Sequence, residues 1–306
     1  MAEYAGSDEP AHAGDEGERF SVRRMARLLQ VSSSGYYAHA KRVGATELTP
    51  RQQRRADLTV KILDVHAESD GTYGSPRITA ELRERGERVS EKTVASVMAG
   101  VGIEGISPRT FKLRTTVADP RASFPPDLVR RRFDQGRLDA VWLTDITYLS
   151  CGEGDMYLCA IRDAHSRRVL GHVVVDHIGC DMVGQAIDAA VTCRTSAGRD
   201  VAGTVLHSDR GGEFTGSLTV QACDRHGLRR SMGDTGICWD NSPAESFWST
   251  FKHEYYYRHT FASRAELVAA VDNWIQRYNH QRRHSAVGML SPIRYEQSLT
   301  GTANAA

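Results

Sequence analysis

The sequence predicts an α/β protein in which a helical first third precedes a mixed sheet with helices on its faces. Three observations lead there. Residues 20 to 103 show helical periodicity interrupted by capping serines and glycines, residues 140 to 175 alternate like strands, and from 180 onward helix and strand signals take turns.

The elements follow in chain order. Residues 1–18 form a Gly- and acid-rich leader whose composition suits disorder. "SVRRMARLLQVSSSGYYAH" reads as two short helices, with Met25, Leu28 and Leu29 on one face and serines 32 to 34 available as a cap. "PRQQRRADLTVKILDVHAES" is helical. "SPRITAELRERGERVSEKTVASVMAGVGI" gives a helix, a turn at Gly86, a cap at Ser90 and another helix, the layout of a helix-turn-helix unit and equally of a small helical bundle. Residues 104–138, with four prolines and "VRRRF", read as a basic linker. "AVWLTDITYL", "MYLCAIRD" and "RRVLGHVVVD" are three strands at hairpin distance. "DMVGQAIDAAVTC" is then a helix, "TVLHSD" a strand, "SLTVQACDRHG" a helix and "LRRSM" a short strand. Long helices over about 242–259 and 263–281 close the chain. The expected domains are therefore 19–103, helical; 139–260, the sheet; and 261–306, a terminal helix with a basic tail.

Composition narrows the function. Of 306 residues 40% are hydrophobic and 25% charged, no apolar run reaches membrane length, and the acidic start is unlike a secretory signal, so a cytosolic protein is expected. The cysteines (Cys151, Cys159, Cys180, Cys193, Cys223, Cys238) are scattered, which suits reduced thiols and gives no zinc spacing. The net charge of +1 hides a division: residues 1–18 carry −6, residues 19–138 carry +10 and residues 139–306 carry −3. A basic third beside an acidic remainder fits a part that holds a polyanion and a part that gathers carboxylates; solvated helix faces fit the same charges.

Three carboxylates stand out. Strand parity puts Val141, Leu143, Asp145 and Thr147 on one face, so Asp145 sits among apolar neighbours and needs a partner. Asp209 ends its strand in "LHSDRGGEFT", where the crevice of an open sheet lies, and Gly211 and Gly212 allow a sharp, unobstructed turn. Glu245 in "CWDNSPAESFWSTFKHE" has a local use, since Ser242, Pro243 and Glu245 form a capping-box pattern. It is also separated from Asp209 by 35 intervening residues and lies two helical turns before Lys252, on one stripe with Trp248, while Phe247, Phe251 and Tyr255 take another stripe. Three gathered carboxylates repel unless a cation joins them, and hard oxygen donors suit Mg²⁺ or Mn²⁺. Two such ions would serve phosphodiester chemistry.

These stretches, with "SMGDTGICWDNSPAESFWSTFKHE" and "YNHQRRHSAVGMLSPIRYE", resemble bacterial transposases of the insertion-sequence-three family, relatives of retroviral integrases, over roughly residues 20 to 297. The resemblance implies a ribonuclease-H-like catalytic core, with Asp145, Asp209 and Glu245 as metal-binding catalytic triad, His207 and Asn241 as supporting positions, and Lys252 as a contact to DNA ends. It implies cleavage at terminal inverted repeats, joining of the freed 3′-hydroxyl to target DNA, two Mg²⁺ ions replaceable by Mn²⁺, a homo-oligomer on DNA, and a bacterial protein at the nucleoid. Arg282, Arg283 and His284 suit a helix C-terminus as well as phosphate contact, and Arg77 and Lys92 are DNA-contact candidates in the helical region. In that family an upstream reading frame supplies a coiled coil by frameshift fusion. This chain has no such heptad run, so it is expected to be the downstream frame, and a catalytically silent regulator dependent on an upstream-frame partner is the alternative.

Overall fold

The computed structural model describes residues 5–6, 20–44, 48–107, 124–233 and 242–303. Chain contacts separate two compact units, Met1–Lys61 and Ile62–Ala306. That division differs from the expected one. Residues from 62 onward in the helical region belong to the unit that holds the sheet.

In the first unit, β1 (Ala5–Gly6) and β2 (Phe20–Ser21) pair in parallel, followed by α1 (Val22–Leu28) and α2 (Ser33–Val43). Ser21 and Ser32 cap the two helices, their side chains accepting hydrogen bonds from the Arg24 and Gly35 amides at 3.3 Å. The buried positions of α1 are Val22 and Ala26, whereas Leu28 and Leu29 are exposed, contrary to the face expected from periodicity. α3 (Pro50–Glu68) opens with a reciprocal cap: the Gln52 amide donates to Thr49 Oγ1 and the Thr49 amide to Gln52 Oε1.

The second unit continues with α4 (Ser75–Glu84) and α5 (Glu91–Val101), the latter capped by Ser90 and ended by Gly102 in the left-handed region. The sheet then forms from β3 (Val141–Cys151), β4 (Gly154–Asp163), β5 (Val169–Val175), β6 (Val205–Ser208) and β7 (Arg229–Met232) in the order β5-β4-β3-β6-β7. β3, β4 and β5 are antiparallel neighbours, while β6 runs parallel to β3 and β7 to β6. The mixed sheet is thus as the strand grammar predicts.

Alternation along the strands builds two faces. Trp142, Cys159 and Ile161 face α6 (Cys180–Thr195) and α8 (Ser217–Arg225), whose Met182, Val183, Ala186, Ile187 and Ala222 are buried there. Leu149, Leu158 and Ala160 face α9 (Ser242–Glu254) and α10 (Arg264–His280), through Phe247, Phe251, Val271 and Trp274. On that same side Val141, Leu143 and Val205 meet Val129 from the segment before the sheet. Part of the aromatic stretch after α9 packs: Tyr256 hydroxyl donates to the Ser150 carbonyl at 2.9 Å and its ring stacks on Phe261. α11 (Pro292–Ala303) closes the chain, its Glu296 paired with buried Arg194 and with Arg168.

Buried ion pairs fasten the helical segment to the sheet unit. Glu254, at the end of α9, takes a bidentate contact from Arg282 (2.7 and 2.6 Å) and a third from Arg77 of α4 at 3.1 Å. Arg283 bonds Glu81 of α4 at 2.6 Å, Glu84, and the Met289 carbonyl at 2.8 Å. Arg282, Arg283 and Glu254 are all buried. Removing one partner from such a group leaves charge uncompensated, at a cost of about 3–5 kcal/mol, whereas exposed pairs contribute about 1 kcal/mol or less. Glu254→Gln is therefore expected to lower the unfolding free energy by about 3 kcal/mol in urea, and Glu68→Gln, which breaks an exposed pair with Arg85, by about 1 kcal/mol at most. Equal losses in the two variants would contradict the buried role.

Candidate active site

Asp145 lies in mid-strand on β3, opposite Ala160 of β4, on the face shared with Leu143 and Leu149. Leu143 is also in register with His207 of β6, which brings the end of that strand, and with it Asp209, beside Asp145. Glu245 enters from the first turn of α9.

Of the three, Asp145 is the one that feels the charge of both others. Asp145 is half-buried, and its pKa is pushed from the usual 3.8 to about 7 by burial, then by the charge of Asp209 and, more weakly, by that of Glu245. The Trp248 indole N–H counters the rise but makes no hydrogen bond of ordinary geometry and is otherwise buried without a partner. Asp209 is exposed, so the upward push from desolvation and from nearby Glu213 is softened by solvent. Glu245, also exposed, is raised by partial burial alone. No hydrogen bond holds the Glu245 side chain in a capping box among the described residues, so its local use is not taken up there. Lys252 is half-buried, which lowers its pKa, and Asp145 is the charge that opposes the fall.

The donor set fits a hard divalent cation. Asp145 Oδ1 accepts the Ile146 amide at 2.8 Å and Asp209 Oδ1 the Gly211 amide at 3.0 Å, so one oxygen of each carboxylate is oriented by backbone. Among the described residues no three acidic, His or Cys side chains close around a single point at metal-ligand range.

Gly211 has an ordinary φ of −63°, and a Cβ there would sit 3.0 Å from Glu213 Oε2 and 3.1 Å from Asp209 Oδ1, close enough that these side-chain ends would have to shift slightly. Gly212 has open space around it and no such demand. His207 is buried behind the site, with Nδ1 2.9 Å from Ser231 Oγ and its ring against Phe133. Asn241 and Cys238 lie outside the described residues. Lys92 is exposed on α5.

The remaining DNA-contact expectations meet a different environment. Arg282 and Arg283 are interior ion-pair residues, Arg77 shares Glu254 with Arg282, and His284 lies against Arg282, which with burial drives its pKa well below 6.5. These cations are already neutralised by carboxylates or held uncharged, so the basic look of "HQRRH" reflects fold assembly. Sequence reasoning had no signal for their partners, because Glu81, Glu84 and Glu254 lie far away in the chain.

Comparisons with known proteins give the family. Residues 137–238 and 226–292 match integrase core domain families, and residues 52–111 match an HTH-like domain. The transposase InsF of insertion sequence IS3A from Escherichia coli (strain K12) is 34% identical over 281 residues, covering 90% of this chain and 94% of that protein. The chain belongs to the IS3 family of transposases. A putative transposase of element IS986/IS6110 from Mycobacterium tuberculosis is 31% identical over 88% of this chain and 95% of its own. Among solved structures, the HTLV-2 integrase catalytic core in complex with magnesium is similar over 49% of this chain and 92% of its own, at 14% identity and a TM-score of 0.36. As a member of the IS3 family the chain is a polynucleotidyl transferase of the DDE type.

The raised Asp145 pKa sets a pH dependence. Because the folded value exceeds the unfolded one, the folded chain holds a proton that the unfolded chain has lost between about pH 4 and 7, and the contribution of Asp145 to stability falls as pH rises through that window. Asp145→Asn is expected to flatten this fall in metal-free denaturation; an unchanged slope would mean that Asp145 ionises normally. Without metal, Asp209→Asn is expected to melt no lower than wild type, and Mn²⁺ to raise the Tm of wild type only. Equal Mn²⁺ shifts in both proteins would remove Asp209 from the ligand set.

Proposed function

We propose that this transposase cuts the 3′ ends of its element at terminal inverted repeats and joins the freed 3′-hydroxyl to target DNA, with Asp145, Asp209 and Glu245 as the catalytic carboxylates. The observation that carries the proposal is the coupling of three acids from three separate stretches of sequence, seen in the rise of the Asp145 pKa. Carboxylates gathered on one side of the sheet suit Mg²⁺, or Mn²⁺ in its place, as two ions per site. Bound there, the ions would activate the attacking water or hydroxyl and stabilise the leaving oxygen.

The chain's own residues supply position. Asp145 and Asp209 are oriented by neighbouring amides so that a free oxygen of each is available. Lys252, one stripe along α9 from Glu245 and within the field of Asp145, is placed to meet a phosphate of the DNA end. Hydrophobic burial of Phe247 and Phe251 keeps α9 against the sheet while Glu245 stays open to substrate. The HTH-like match and exposed Lys92 support duplex DNA as the partner bound by α3 to α5. A homo-oligomer on DNA, an upstream-frame partner and a place at the bacterial nucleoid belong to the same proposal. No helix among the described residues is long and apolar enough to cross a membrane.

The test is a Mn²⁺-dependent cut-and-join assay on a plasmid with the element's native flanks, run with and without the upstream reading frame. Wild type is expected to yield joined ends, and Glu245→Gln to lower their yield by about a hundredfold or more. Cut ends that never join would indicate a nuclease. No reaction in either setting, despite bound DNA and metal, would favour the silent regulator.

A further inference from the structure

We propose that a groove between residues 131–135 and the start of α9 seats the sugar-phosphate backbone of the DNA strand that enters the active site. The proposal rests on the transposase reading and adds where the strand lies. The groove is a cavity of about 660 Å³ lined by Arg131, Arg132, Asp134, Gln135, Arg167 and Pro243. Its location couples it to both catalytic elements. Pro243 precedes Glu245 by two residues, and its carbonyl is held by Arg162 Nη2 at 2.6 Å. Phe133 packs edge-on against His207, two residues before Asp209, on the sheet face that carries Asp145.

The chemistry of the lining is that of an anion site. Three of the lining residues are arginines, and the single acid, Asp134, already accepts His165 Nδ1 at 2.7 Å and the Gly136 amide at 2.9 Å. Arg167 Nε is buried and has no hydrogen-bond partner among the described residues, an unmet donor of the kind a ligand oxygen would satisfy. Burial and neighbouring Arg162 both act against the Arg167 charge, so an incoming anion would relieve it.

Backbone strain marks the same place. Arg130, Arg131 and Arg167 adopt φ of 49°, 62° and 68°, a region that side chains with a Cβ avoid. Both walls are fixed in spite of it. Asp127 Oδ1 accepts the Val129 and Arg130 amides at 2.8 and 2.9 Å, and the Arg167 amide donates to the Asp163 carbonyl at 3.0 Å. A strained backbone held rigid so that guanidinium groups line one cavity is what recognition of a charged strand requires.

The test measures binding of the full chain to a fluorescent duplex of the element's own end across a salt series. Arg131→Asn combined with Arg132→Ala is the main variant, because Asn tolerates the left-handed backbone at 131. Its slope of log Kd against log salt is expected to fall by about two, one for each lost phosphate contact, with affinity about tenfold to a hundredfold weaker and Tm unchanged. Gln135 is exposed, so charge can be changed there without touching the fold: Gln135→Glu is expected to weaken binding several-fold and Gln135→Lys to tighten it. Wild-type slope and affinity in all three variants would overturn the groove. Joining by wild type is scored separately; its failure would count against the transposase reading and leave the slopes to decide the groove.

Discussion

Like charges repel, so three carboxylates stay within one another's field only if the scaffold resists their separation. Here the scaffold is the sheet. The register of β3 with β4 and with β6 fixes Asp145 beside the end of β6, and Asp209 follows directly on that strand. Glu245 arrives on a separate element, α9, which must be held just as firmly. Phe247 and Phe251 bury against α10 and the sheet, and the other end of the helix is pinned by Glu254. The site therefore depends on packing several residues away from its chemistry.

Glu254 also ties two functions together. Its partners are Arg282, beyond α10, and Arg77, in the α4 helix of the segment that matches an HTH-like domain. A bidentate guanidinium contact tolerates little sliding, so the hub sets α4 in a defined position relative to the catalytic helix. Buried ion pairs bring little net stability over apolar packing, and their usual gain is this kind of register. The helical segment from residue 62 is consequently a wall of the catalytic unit, and the boundary between units falls within α3.

Charge in this molecule has two destinations. The arginines after α10 are absorbed by carboxylates from α4 and α9, and Arg131, Arg132 and Arg167 line an open groove. Counting bases along the chain cannot separate the two, because both kinds look alike until the acids that face them are known.

The sequence by itself determined the mixed sheet and the order of its strands and flanking helices along the chain and the capping serines at 32 and 90, and it singled out the three acids. Each of these depends on local rules: parity along a strand, spacing along a helix, a hydroxyl before a first turn. Tertiary structure alone decided what the arginines do, which apolar side chains of α1 stay exposed, and where the chain divides into units. The physical reason is common to all three: a local pattern fixes which way a side chain points, and only the packed chain fixes what it meets.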